Sequence, residues 1–282
     1  MNEANAFKRW MDDHRHAVIA TISSVKGSTP REAGAFIAVA EKTTFGTIGG
    51  GQLEYLAIDH ARQLLAGKTG QTRLDIPLGP DIGQCCGGRT VIDFAYADDM
   101  AVNARLKMMQ RQAAAAPTVA VFGGGHVGKA LCQALAPLPF NVRLIETRNE
   151  ALTGIPAGIT TKLTPMPEAE ITNLPAGSAV VILTHDHALD FLIAMESLKR
   201  DALCYCGMIG SRTKRATFHR YAKENGISEE QLTRLTMPIG SSDARDKRPP
   251  VIAALVAAEL LHAIHAANAA KTGSLHEHKA NH

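Results

Sequence analysis

Apolar positions fall into two regimes along this chain. In the first, short β-branched runs sit between glycine-rich turns. Residues 17–23 alternate and predict a strand, as do residues 36–40. Leu53, Leu56, Ala57, Leu64 and Leu65 recur at helical spacing and predict a helix over 53–65. A short helix is expected at 7–13, a glycine-rich hinge at 44–51, and strands at 72–76 and 90–94 around a loop, 79–88. A helix over 103–116 is stopped by Pro117, whose ring cannot continue it. From residue 118 the order becomes strand, glycine turn, helix, strand. The run 119–122 is apolar throughout, as a strand buried on both faces must be. A helix is expected at 129–135, strands at 142–145, 179–183 and 202–207, and helices at 190–199, 211–226 and 229–234. Pro249-Pro250 opens a long terminal helix. This pattern predicts an α/β chain: an N-terminal α+β domain with glycine-rich loops over 1–116, then a Rossmann-like doubly wound parallel sheet with the C-terminal helix over 117–272, and a polar tail at 273–282. No internal repeat is visible.

Composition narrows the classes. Of 282 residues, 45% are hydrophobic and 20% charged, so each half can bury a core. A formal net charge of +3, with no arginine-rich helix and no aromatic RNA-binding signature, argues against nucleic acid as a partner. The N-terminal residues lack an apolar signal segment. The apolar stretch 251–270 is interrupted by Glu259, His262 and His265 and reads as a buried helix, not a membrane span. Five cysteines, an odd number, fit reduced thiols and a cytoplasmic setting better than a disulfide framework.

Gly123, Gly125 and Gly128 fit the G-x-G-x-x-G pattern after a strand and before a helix. The first glycine permits a tight turn, the second lets backbone approach a pyrophosphate, and the third lets helix pack on strand. Free N–H groups at the helix start favour an anion. Glu146 ends the next strand, where a ribose-binding acid belongs, and Arg148 follows as a phosphate partner or a solvated side chain. The bland alternative is a tight turn that binds nothing. Gly49-Gly50-Gly51 also run straight into a helix and suit either an anion or a flexible hinge.

Gln84-Cys85-Cys86-Gly87-Gly88-Arg89 is the most unusual stretch. Adjacent cysteines between glycines are exposed more readily than packed. Arg89 could lower a neighbouring thiol's pKa. Zinc would need two further ligands that the first half does not offer at suitable spacing. Cys85 or Cys86 is therefore read as a soft ligand to a cofactor's metal or as a sulfur handler, against the alternative of two small core residues. Cys204 and Cys206 face opposite ways on a strand, and Cys132 reads as core. His185, Asp186 and His187 follow a strand end, where ligands gather in such sheets, although an ordinary polar turn has the same look. Ser211 and Arg212 open a helix after the glycines at 207 and 210 and form a further candidate anion site, or a solvated face.

Taken together these stretches resemble the XdhC/CoxI family of accessory proteins to xanthine dehydrogenase and related molybdenum hydroxylases. The matching pieces are Gly27-Ser28-Thr29-Pro30-Arg31, Gly46 to Glu54, Gln84 to Gly88, Gly123 to Gly128, Thr184 to Asp190, Gly207 to Arg212 and Pro238-Ile239-Gly240. The resemblance implies a chaperone without turnover of its own. Such a protein binds molybdenum cofactor (molybdopterin, as such or as a dinucleotide) and assists its sulfuration with a cysteine desulfurase. It then delivers the cofactor to the apo molybdenum hydroxylase. It further implies that Cys85 binds the metal and that a cleft between two domains shields the cofactor. The chain departs from the family at Ser241-Ser242-Asp243-Ala244-Arg245, where apolar residues and glycine are more usual. Two alternatives stand beside it: an NAD(P)-dependent oxidoreductase, supported by the glycine turn and Glu146, and a persulfide carrier working through Cys85 and Cys86. The apolar C-terminal helix could pack on its own sheet or form a homodimer.

Overall fold

The computed structural model describes residues 3–79, 87–240 and 246–280, with side chains described as far as residue 270. The chain divides into two units, Met1–Gln112 and Ala113–His282.

The first unit is built on β1 (Ala17–Lys26), β2 (Phe36–Ala40), β3 (Thr44–Thr47), β4 (Arg73–Pro77) and β5 (Arg89–Tyr96). They form one antiparallel sheet in the order β3-β2-β1-β5-β4. Alternate residues of β1 serve opposite faces, as the strand period of two requires. Val18, Ala20 and Ile22 meet Leu53, Ala57, Ala61 and Leu64 of α2 (Gln52–Leu65). Those four helical positions lie on one face because their spacing follows the helical turn. Ala17 and Ile19 face the other way, towards Phe7 and Met11 of α1 (Glu3–Asp13) and Met109 of α3 (Asp99–Ala115). The unit is thus a sheet covered on both sides. The expected hinge at 44–51 is corrected: its first four residues are β3, paired with β2 from Phe36↔Thr47 to Val39↔Thr44. Helix α3 begins four residues earlier than its apolar spacing predicts. The Asp98 carboxylate accepts from the Ala101 amide at 2.7 Å and caps it there.

The second unit carries β6 (Thr118–Phe122), α4 (His126–Leu135), β7 (Asn141–Glu146), β8 (Thr160–Leu163), β9 (Ala179–Ile182), α5 (His187–Leu198), β10 (Tyr205–Met208), α6 (Arg212–Glu224), α7 (Glu229–Thr233), β11 (Leu235–Thr236) and α8 (Pro249–Ala280). Its six strands are parallel in the order β11-β10-β9-β6-β7-β8. This is the doubly wound Rossmann order, and the direction of winding reverses between β6 and β9. Val119 and Val121 face α4 and α8, while Ala120 and Phe122 face the side covered by α5 and α6.

Helix α8 is long and apolar enough over Pro249–Ala270 to cross a membrane by length and composition. Here Ala253, Val256, Ala257, Leu260 and Ile264 are buried with Leu131, Cys132 and Leu135 of α4. The Glu259 carboxylate accepts from the Tyr205 hydroxyl at 2.7 Å and ties α8 to β10. The helix runs on to Ala280, through the stretch whose polarity predicts a tail.

Candidate functional site

The three glycines of the β6–α4 turn do different work. Gly123 has φ of 113°, and a Cβ there would stand 2.4 Å from the Leu183 carbonyl oxygen. A Cβ on Gly128 would stand 1.9 Å from the Gly123 carbonyl, so only glycine lets α4 close on β6. Gly125 differs. Its φ of −70° suits any residue, and no protein atom lies within 4 Å of the position its Cβ would take. Among the described residues nothing requires glycine there. What remains is open space in front of the α4 N-terminus, which no side chain caps. Free backbone N–H groups at such an end attract a phosphate.

Glu146 ends β7 beside this turn and is 3% exposed. Its Oε2 accepts from the Gly124 amide at 2.7 Å. Its Oε1 accepts from the amides of Thr147 at 2.8 Å and Arg148 at 3.1 Å, and from Arg148 Nε at 3.4 Å. Burial pushes the carboxyl pKa up, but these donors together hold it below the ordinary value. Oε1 is saturated. Oε2 has one donor and capacity for another, such as a ribose hydroxyl. Arg148 pairs with Glu146 through Nε and is otherwise partly exposed. Gly123, Glu146, Thr147, Thr184 and Leu189 line a narrow crevice at this edge, where β6, β7 and β9 end.

The loops after β9 and β10 reach the same edge of the sheet. Asp186 is exposed and caps α5, accepting from the Ala188 amide at 2.8 Å; Ser211 caps α6, accepting from the Lys214 amide at 3.1 Å. His185 and Arg212 are exposed. Two residues beneath them were not singled out by the sequence as a pair. Asp190 is fully buried; its Oδ1 accepts from the Thr184 amide at 2.9 Å and the Thr184 hydroxyl at 2.7 Å. Its Oδ2 pairs with the Lys214 ammonium, which also donates to the Ile209 carbonyl at 3.1 Å. Lys214 thus lies under the loop and does not belong to a solvated basic face. The pair locks α5, α6 and both loops together. The only advance signal was Thr184 six residues before Asp190.

In the first unit the matching motifs converge around Ser28 to Arg31. The Cβ position of Gly49 lies 3.0 Å from Pro30 Cβ, and Gly49 itself has φ of 122°. On the other side Ser28 bridges to Gly87, and a Cβ on Gly88 would stand 2.1 Å from the Ser28 carbonyl. Leu78 and the Gly87-Gly88 pair exchange backbone hydrogen bonds of 2.8 and 2.9 Å. The chain therefore leaves β4 and returns to β5 at one point beside Ser28. Gln84, Cys85 and Cys86 lie outside the described residues, as do the five residues 241–245. Arg89 holds Asp75 through two hydrogen bonds of 2.6 and 2.9 Å.

Gly50 and Gly51 have no atom near their Cβ positions, and α2 starts at Gly51 without a side-chain cap. The Glu54 carboxylate, however, accepts from the Thr47 hydroxyl and from the Ile48 amide at 3.1 Å. It fixes the loop and already brings a negative charge to that helix start, so a second anion there meets repulsion. Among the described cysteines, burial pushes the thiols of Cys132 and Cys206 up to about 12, so neither forms thiolate readily. Among the described residues no group of three His, Cys, Asp or Glu is placed to hold a metal.

The family model of the XdhC Rossmann domain matches residues 119–260, and that of the XdhC and CoxI family matches residues 10–75. The uncharacterized protein YqeB of Escherichia coli (strain K12) is 27% identical over 250 residues, covering 86% of this chain. The chain spans 42% of that relative's length. The crystal structure of a xanthine dehydrogenase from Bacillus halodurans has a TM-score of 0.76 and 17% identity, over 94% of this chain and 96% of that one. At that identity the likeness is one of fold.

Proposed function

We propose that this chain, which belongs to the XdhC and CoxI family, is a chaperone for molybdenum cofactor in the maturation of a xanthine dehydrogenase-type molybdenum hydroxylase. It binds the molybdenum pterin, as such or as its dinucleotide, and supports its sulfuration together with a cysteine desulfurase. It then delivers the cofactor to the apo-hydroxylase in the cytoplasm. The observation that carries this reading is the rooting of the Cys85-Cys86 loop at Gly87-Gly88, against Ser28 and among the other motifs of the family. Gly88 is required by close backbone packing and Gly87 by its φ of 65°, so the two thiols are the part of this motif whose residue types point to chemistry.

The open space at Gly125 and the uncapped start of α4 fit a phosphate or pyrophosphate of the cofactor. Glu146 Oε2 fits a ribose hydroxyl if a nucleotide is attached. Cys85 supplies a soft ligand of the kind molybdenum prefers. When bound, the cofactor provides the metal and the dithiolene sulfurs; the chain holds and shields it. Asp190 and Lys214 hold the β9 and β10 loops in place around the α4 turn. The test is to mix pure protein with molybdenum cofactor and measure molybdenum per chain after gel filtration. Wild type is expected to retain the metal and Cys85→Ala to lose it. No retention by wild type sinks the proposal.

A second reading, an NAD(P)-dependent oxidoreductase, is favoured by the strand order and by the Gly124–Glu146 hydrogen bond, both compatible with a nicotinamide dinucleotide. Titration with NADH followed by fluorescence separates the two. Micromolar binding together with no cofactor retention selects the second.

A further inference from the structure

Arg105 of α3 belongs to none of the motifs above, yet it is 8% exposed. Its Nη2 donates to the Thr21 hydroxyl at 2.6 Å; its Nη1 donates to the Gly34 carbonyl at 3.2 Å and contacts Met108 Sδ at 3.6 Å. The guanidinium lies 4.3 Å from the centre of the Phe36 ring. All four partners are neutral. Burial pulls its pKa down, and among the described residues no carboxylate is set against that effect. A guanidinium nonetheless stays protonated in a protein. A buried charge without a counterion is costly, and such charges are ordinarily paired.

A cavity of about 250 Å³ lies beside it. Ile19, Ala95, Ala101 and Met108 give it apolar walls, and Thr21 and Arg105 supply its donors. Asp93, at the rim, is half exposed and pairs with Arg73 at 3.5 Å, not with Arg105. Every one of these residues lies in the first unit.

We propose that this cavity is a binding site for a small organic carboxylate with a short apolar body. A planar carboxylate matches the guanidinium fork and supplies the missing counter-charge. The apolar walls take the hydrocarbon part. The volume, below the usual range for drug-sized ligands, limits that part to a few carbons. Inorganic phosphate is disfavoured, because a heavily hydrated dianion gains nothing from apolar walls. The inference stands apart from the cofactor reading, since no residue of the cofactor motifs lines the cavity.

The experiment is isothermal titration of the full chain with hexanoate, beside hexanamide and inorganic phosphate. Hexanoate is expected to bind, with both controls at least about tenfold weaker, the loss expected when a charge-assisted hydrogen bond is removed. Arg105→Met should abolish hexanoate binding and Arg105→Lys should weaken it. Should Arg105→Met fail to fold, Ala104→Leu keeps the arginine and fills the cavity from its exposed rim; it should block hexanoate while leaving the melting temperature near wild type. No heat from hexanoate with wild type overturns the proposal. So does equal binding of hexanamide, or unchanged binding by Arg105→Met or by a folded Ala104→Leu.

Discussion

Alanine substitution at the three glycines of the β6–α4 turn separates a binding role from a folding role. At Gly128 the new Cβ would stand 1.9 Å from the Gly123 carbonyl, against an ordinary contact beyond 3.4 Å. Helix α4 must then move away from β6 by more than 1 Å, and overpacking of that kind costs about 1–3 kcal/mol or more. Gly123→Ala adds backbone strain at φ of 113° to a contact of 2.4 Å with Leu183, for a similar or larger loss. At Gly125 the backbone is already suited to alanine and no atom lies within 4 Å. Alanine is a poorer N-cap than glycine by about 0.5–1 kcal/mol. Reduced freedom of the unfolded chain returns about 0.4–1 kcal/mol. The two nearly cancel. Each kcal/mol shifts the melting temperature by about 2–4 °C at this domain size. Gly125→Ala should therefore melt within about 2 °C of wild type, and Gly128→Ala well below it. Cofactor retention should fall about tenfold or more in Gly125→Ala, because the methyl occupies the space through which a phosphate reaches the α4 amides. Wild-type retention by Gly125→Ala refutes the assignment of that space to a ligand. A melting temperature as low as that of Gly128→Ala refutes the claim that this glycine has no structural duty.

Three further outcomes follow from the same geometry. Asp190→Ala leaves the Lys214 ammonium buried without its partner and should cost about 3–5 kcal/mol in urea denaturation, while Asp190→Ala with Lys214→Met should recover much of that loss. The native Glu146 carboxyl sits below its ordinary value of 4.5, so the native state binds that proton less readily than the unfolded chain. Its stabilisation is present above about pH 4.5 and disappears as pH falls through the native value, so the gap in melting temperature between wild type and Glu146→Gln should close on acidification; a gap independent of pH refutes this. Cys132 and Cys206, with thiols pushed up to about 12, should resist alkylation of the native protein at pH ~8 and react only after unfolding, as peptide mass mapping will report.

The apolar runs of β1, β2, β6, β7 and β9 were legible in the sequence because each is buried on both faces of its sheet, and so was the doubly wound class of the second unit, though not its strand order. Strand β8, Thr160-Thr161-Lys162-Leu163, was not. It is an exposed edge strand with no buried position, so hydrophobic pattern carries no trace of it. The two-residue β11 leaves no periodic signal, and β3 looked like a hinge because its glycine and its exposure hide the pairing with β2. In the site, the turn glycines were legible from spacing alone. The Asp190–Lys214 pair was not, since it joins residues 24 apart that meet only when α5 and α6 pack on the sheet. The sequence also offered Asp186 and Ser211 as ligand contacts. Each is a helix cap, a local role that the same residue types favour.

Transfer is the act that defines a chaperone, and it can be measured without knowing how the ligand is held. Apo-hydroxylase of the xanthine dehydrogenase type is mixed with molybdenum cofactor, either free or preloaded on this chain, and xanthine oxidation is followed with time. The proposed function predicts faster and fuller activation from the loaded chain, with Cys85→Ala performing no better than free cofactor. Equal activation from free and preloaded cofactor contradicts it.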